Sequence, residues 1–124
     1  MIIGIGIDIL KVERIEKAIE RHGTRFTDRI FTHGEQEYCS MKKNCFESLA
    51  ARFSVKEAAF KALGRGWYTC GFTSVEVVSD SNRRPGIVFH GKARKIADSL
   101  HVKNAFVTIT HDSGIAAAVV VLEG

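Results

Sequence analysis

Residues 47–64 run ESLAARFSVKEAAFKALG, the most strongly helical stretch of the chain. It is rich in good helix formers and closes on Gly64, the residue type best suited to end a helix. At about 100° per residue, Phe53 sets the apolar direction, with Phe60 about 20° to one side and Ala50 about 60° to the other. Glu57 falls about 40° from Phe53, inside the apolar stripe. A carboxylate there is costly unless it finds a partner or gives up its charge. Two readings are open. Lys61, one turn on, could form an i, i+4 ion pair worth about 0.2–0.5 kcal/mol. Alternatively, Glu57 could meet another acid across a shared cation.

The other acid stands in the opening segment, MIIGIGIDIL, residues 1–10. Alternation puts Ile3, Ile5, Ile7 and Ile9 on one face of a strand and Gly4, Gly6 and Asp8 on the other. The isoleucines are expected to fill the core. The glycines leave the opposite face bare for a backbone or a ligand, with Asp8 at the end of that track. The plainer reading of Asp8 is a solvated strand-end carboxylate or a cap for the next helix. A dinucleotide fingerprint is excluded, because the third glycine of G-x-G-x-x-G is replaced by Ile9. Asp8 and Glu57 together would suit Mg²⁺, which prefers oxygen ligands and completes its shell with water and phosphate. No His/Cys grouping has zinc spacing.

The rest of the chain reads in the same way. Residues 12 to 22 form a helix with Val12, Ile15 and Ile19 on one stripe. Thr32 and Glu35 make a capping box that starts a second helix. GFTSVEVVS and IVFHG are strands around the turn DSNRRPG, KARKIADSLH is a short helix, and AFVTIT and GIAAAVVVLE are strands joined by HDSG. One strand, three helices, two strands, one helix and two strands predict an α+β domain whose largely antiparallel sheet packs with helices.

The length of 124 residues fits a single domain over 1–124. With 45% hydrophobic and 26% charged residues, the composition is that of an ordinary soluble globule. No apolar run reaches the roughly 18 residues of a membrane span, and no signal peptide precedes the first strand. Cys39, Cys45 and Cys70 form no C-x-x-C pair, which points to reduced thiols and a cytoplasmic location. The net charge of +4 favours anionic partners. Lys42, Lys43, Arg52 and Lys61 are interspersed with the two acids. That mixture suits a metal-bridged polyphosphate better than nucleic acid, which calls for a long basic stripe. Arg14, Arg21 and Arg25, at spacings of seven and four, make a basic stripe on the first helix with Ala18 between them. Such a stripe is either a solvated face or a dock for an acidic helix.

GIGIDIL, RFTDRIFTHGEQEYC and above all LAARFSVKEAAFKALG resemble the holo-acyl-carrier-protein synthases, the short type of 4′-phosphopantetheinyl transferase. RRPGIVFHGKA and VTITHDSGIAAAVVV follow in the same order, so the resemblance spans nearly the whole chain. It implies transfer of phosphopantetheine from coenzyme A to a serine of apo acyl carrier protein, in support of fatty acid biosynthesis. It also implies Mg²⁺ on Asp8 and Glu57, with Glu57, Lys61 and Asp8 as catalytic residues. Coenzyme A would be held by Lys42, Lys43, Arg52, Lys61, Gly64, Pro85 and His111. For His111 the competing reading is a hairpin histidine bonding its own turn, and for the lysine pair a solvated surface. Arg14, Arg21 and Arg25 would dock the acidic carrier protein. A single copy of the unit implies a homotrimer with sites between subunits. Trp67 and Tyr68 either cover the ligand or pack on a neighbour. Two other classes make different demands. A basic interaction module would not depend on Glu57, and a Mg²⁺-dependent nucleotide hydrolase would need no protein acceptor.

Overall fold

A computed structural model describes residues 1–124. The chain runs β1 (Ile2–Lys11), α1 (Val12–His22), α2 (Thr24–Ile30), α3 (His33–Ser40), α4 (Cys45–Leu63) and α5 (Trp67–Cys70). After a 3₁₀ turn at Phe72–Ser74 come β2 (Val75–Ser79), β3 (Pro85–Phe89), α6 (Gly91–Ser99), β4 (Asn104–Asp112) and β5 (Ile115–Glu123). Every strand pairing is antiparallel, but the strands divide into two sheets. One has the order β1-β5-β4 and the other is the hairpin β2-β3. No helix is long and apolar enough to cross a membrane.

Caps fix the helix ends where the side chains call for them. The Thr32 backbone N–H donates to Glu35 Oε1 at 2.8 Å, and the Glu35 N–H donates to Thr32 Oγ1 at 3.2 Å, completing the capping box of α3. Asn44 caps α4, accepting from the Glu47 N–H at 3.1 Å. Gly64 ends α4 in the left-handed conformation, at φ 71°.

The helix α4 is the spine of the molecule. Ala50, Val55, Ala58 and Ala59 are wholly buried, because α4 lies on β1 and β5 with the other helices around it. The contact with β1 reverses the expected faces of the strand. A Cβ on Gly4 would lie 1.9 Å from the Ala62 carbonyl oxygen, and one on Gly6 would lie 1.8 Å from that of Ala58. The glycine face is therefore the inner one, since only a side-chain-free strand lets the helix backbone sit directly upon it. Ile5, Ile7 and Ile9 point outward and are 60%, 62% and 65% exposed; of the four isoleucines only Ile3 packs against the core.

A second correction concerns the basic stripe. Gly23, at φ 56°, ends α1 and donates its N–H to the Ile19 carbonyl at 2.7 Å. Arg25 thus belongs to α2 and does not continue the face of Arg14 and Arg21. The helices α2 and α5, seven and four residues long, were not expected, because neither is long enough to develop an apolar period.

Candidate functional site

Two clusters of charged side chains flank α4. The first joins β1 to the C-terminal half of the helix. The Lys61 ammonium donates to the Ile7 carbonyl at 2.8 Å and reaches Asp8 Oδ1 at 3.4 Å. Its ion-pair partner is therefore Asp8, and the i, i+4 pair with Glu57 is not formed. Glu57 is half-buried. Its carboxyl is pushed above the ordinary range by burial first and by the charge of Asp8 second. Burial also raises Asp8, and the hydrogen bond from Lys61 opposes that rise. Arg14, from α1, is close enough to pull weakly on both carboxyls.

Two desolvated carboxylates that repel each other make a site that a divalent cation would relieve. No group of three or more His, Cys, Asp or Glu side chains accompanies them. The protein would thus supply only two oxygen donors, and water and phosphate would have to supply the rest. That donor set fits Mg²⁺, which is seldom held in an all-protein cage.

The second cluster lines a groove of about 1060 Å³ between the α3–α4 connection, the N-terminal half of α4, the β2–β3 turn and the end of β4. Lys42, Lys43, Arg52, Pro85 and His111 all line it, as their assignment to one ligand requires. The Arg52 guanidinium stacks over the Tyr38 ring at 4.2 Å from the centroid, and the Lys42 ammonium lies over the same ring at 4.4 Å. Hydrogen bonding to Lys42, then to Ser79, lowers the Tyr38 hydroxyl below its ordinary range. Arg52 is only 6% exposed, and its Nε is buried without a hydrogen-bond partner. An orphaned guanidinium donor beside a basic groove is what an anion would satisfy. His111 does not bond its own turn. Its Nδ1 lies 3.3 Å from Glu47 Oε1 at the start of α4.

The two clusters do not share a wall within one chain. Asp8, Glu57, Lys61 and Gly64 are absent from the groove lining. Arg52 and Glu57 are five residues apart, which turns them about 140° from each other around the helix. The expected single neighbourhood of acids and bases is thus two neighbourhoods on opposite sides of α4.

Several groove residues escaped the sequence reading. Tyr38, Ser79, Arg83 and Thr108 line the groove. Arg83, in the DSNRRPG turn, carried a usable signal in its basic character. Trp67 packs within its own chain: it stacks on Phe72 at 5.5 Å, and the Arg29 guanidinium stands 6.0 Å from its ring. Tyr68 remains 79% exposed.

Comparison with known proteins bears on what this pair of clusters serves. The family model of the 4′-phosphopantetheinyl transferase superfamily matches residues 4–120. A holo-[acyl-carrier-protein] synthase of Solibacter usitatus is 43% identical, with 99% of each chain covered. One of Geobacter metallireducens is 42% identical over 99% of this chain and 98% of its own. Among solved structures, the holo-[acyl-carrier-protein] synthase of Helicobacter pylori in complex with coenzyme A superposes with a TM-score of 0.85 at 32% identity, covering 96% of this chain and 99% of that one. That of Bacillus anthracis, in complex with CoA (3′,5′-ADP), gives 0.80 at 33% identity, covering 98% and 96%.

Proposed function

The chain belongs to the 4′-phosphopantetheinyl transferase superfamily, and on that premise we propose that it is a holo-[acyl-carrier-protein] synthase. It moves the 4′-phosphopantetheine group from coenzyme A to a serine of apo acyl carrier protein and releases adenosine 3′,5′-bisphosphate. The observation that carries the reading is the cluster of Asp8, Glu57 and Lys61, backed by an anion groove on the far side of the same helix. The coenzyme A complexes of the Helicobacter and Bacillus proteins support coenzyme A as the co-substrate.

The chemistry is phosphoryl transfer, in which the protein mainly positions groups and offsets charge. The serine oxygen bonds to the phosphorus that carries pantetheine, and the bond from that phosphorus to the bridging oxygen breaks. The Lys61 ammonium steadies the charge that gathers on the departing phosphate. Glu57 takes the serine proton. Asp8 and Glu57 would hold Mg²⁺, which when bound neutralises pyrophosphate charge. In the groove, Arg52, His111, Lys42 and Lys43 bind the 3′-phosphate, and Pro85 walls the adenine. Gly64, just past Lys61, borders the pantetheine arm. Arg14 and Arg21 dock the acidic carrier protein, with Arg14 placed beside the carboxylates, and Arg25 contributes from α2.

Residues 1–124 form one transferase domain, and three copies associate as a homotrimer that builds its sites between subunits. Two features support this. The outward row Ile5, Ile7 and Ile9, with Phe106 on β4 of the same sheet, is an exposed apolar face that a second copy would cover. The carboxylate cluster and the phosphate groove also point away from each other, so one ligand reaches both only across a junction of chains. Three free thiols accord with a cytoplasmic enzyme serving fatty acid biosynthesis. The test is mass spectrometry of apo acyl carrier protein incubated with the enzyme, coenzyme A and Mg²⁺. The phosphopantetheine adduct is expected, and EDTA is expected to stop its formation.

A further inference from the structure

Lys56 precedes Glu57 in the chain but points elsewhere, into the interior, where it is wholly buried. Its ammonium pairs with Glu35 Oε1 at 2.8 Å and donates to the Phe72 carbonyl at 3.0 Å and to the Val75 carbonyl. All three of its donors are thereby used. Glu35, equally buried, accepts at Oε1 from the Thr32 N–H at 2.8 Å and at Oε2 from the Val77 N–H at 2.7 Å. One ion pair thus ties together the start of α3, the middle of α4, the 3₁₀ turn and β2. The network continues outward, where Thr32 Oγ1 donates to Glu76 Oε2 at 2.7 Å and His90 lies 3.0 Å from Glu76 Oε1.

Stability alone is a poor account of such a pair. Removing two charges from water offsets most of their attraction, and well-packed apolar residues often serve stability as well. An ion pair does supply fixed direction, because each of its hydrogen bonds is satisfied in one arrangement only. Its place on α4 gives that direction a use. Lys56 lies one turn after Arg52 and one residue before Glu57, between the two groups that serve opposite sides of the helix. The glycine seat of β1 fixes how closely α4 approaches the sheet, and the ion pair adds, on another side of the helix, a directional constraint on its rotation that an apolar residue at position 56 would lack.

We propose that Glu35 and Lys56 are positioning residues for the transfer. Their buried ion pair fixes the rotation of α4 about its axis, so that Arg52 is presented to the phosphate groove and Glu57 to Asp8. The inference rests on the functional reading above for the roles of Arg52 and Glu57.

The experiment compares Lys56→Met, the double variant Glu35→Leu with Lys56→Met, and Glu76→Gln, each against the parent. The readouts are thermal melting, the coenzyme A Kd by calorimetry, and kcat with the KM of each substrate. Lys56→Met alone strands the Glu35 charge and melts early. The double variant strands no charge and melts above Lys56→Met, but below the parent, because the Val77 N–H and the Phe72 and Val75 carbonyls lose their partners. Below its own melting temperature its kcat stays down about tenfold or more and its coenzyme A Kd stays raised. Glu76→Gln leaves Lys56 fully bonded and keeps parent kinetics. A folded double variant with the kinetics and coenzyme A Kd of the parent overturns the proposal, as does a Glu76→Gln enzyme equally impaired. Should the double variant fail to fold, Lys56→Arg takes its place. The charge and the pairing are kept while the longer side chain displaces α4, so below its lowered melting temperature kcat falls and the Kd rises; parent kinetics and Kd would overturn the proposal. The Kd needs no turnover, so a parent that binds coenzyme A but makes no adduct sinks the functional reading and still leaves the positioning claim to be judged.

Discussion

Gly6 meets Ala58 backbone to backbone: a Cβ on the glycine would stand 1.8 Å from the alanine carbonyl oxygen. That contact seats β1 on α4 and brings Asp8, two residues along the same face, beside Glu57 and Lys61. Gly6→Ala has no flexible neighbour to displace, so strand and helix must part. Overpacking of this kind costs about 1–3 kcal/mol or more. Thermal melting is expected to show a loss at the upper end, with transfer activity falling through displacement of Asp8. A variant with parent melting and activity would refute the close seating.

The raised carboxyls predict how metal-free stability depends on pH. Burial and the Asp8 charge hold Glu57 above the ordinary carboxylate range, and burial does the same for Asp8. Each binds its proton more tightly in the folded state than in the unfolded one. Their joint contribution to stability is therefore lost as pH climbs from the ordinary range through the raised values. Glu57→Gln has no such charge to bury. In EDTA its melting temperature should gain on the parent as pH climbs above the ordinary carboxylate range of about pH 4. Added Mg²⁺ should then raise the melting temperature of the parent and not that of the variant. A difference that shrinks with pH, or equal stabilisation by the metal, contradicts the pairing.

Arg52 lines the groove, and its Nε is buried without a hydrogen-bond partner. A hydrogen bond to a charged group contributes about 1.5–3 kcal/mol, so Arg52→Met should weaken coenzyme A binding by about 10- to 100-fold. His111→Ala should act in the same direction. Calorimetry with coenzyme A lacking its 3′-phosphate is the control: binding of that analogue should be little changed by either substitution. Equal losses for both ligands would move these side chains away from the 3′-phosphate.

The proposed sharing of sites between subunits predicts complementation. The Glu57→Gln chain keeps an intact groove, and the Arg52→Met chain keeps intact carboxylates. Neither alone should transfer efficiently, but co-refolding the two should restore activity by joining a good groove to a good carboxylate cluster. A mixture no more active than its parts would place each whole site within one chain.

Much of this was legible in the sequence where the cause is local. The Thr32–Glu35 capping box and the Gly64 stop depend on residues a few positions apart, and each formed where expected. The β2–β3 hairpin also formed, but β2 begins at Val75 after a 3₁₀ turn and β3 at Pro85, inside the expected turn. Alternation in β1 revealed two faces but not which one is inner, because that choice is made by α4, about fifty residues away. Glycine proved the inner residue there since helix backbone, not side chain, fills the space. The acids were legible as a pair because Glu57 sits against the apolar pattern of its helix. The partition of acids and groove cations to opposite sides of α4, and the Glu35–Lys56 pairing, depend on contacts that no spacing along the chain encodes.

The most direct measurement is the mass of apo acyl carrier protein after incubation with coenzyme A, Mg²⁺ and either the parent or the Glu57→Gln enzyme. The account predicts the phosphopantetheine adduct with the parent and almost none with the variant, which still folds and still binds coenzyme A. Adduct formed at near-parent rate by Glu57→Gln would contradict it.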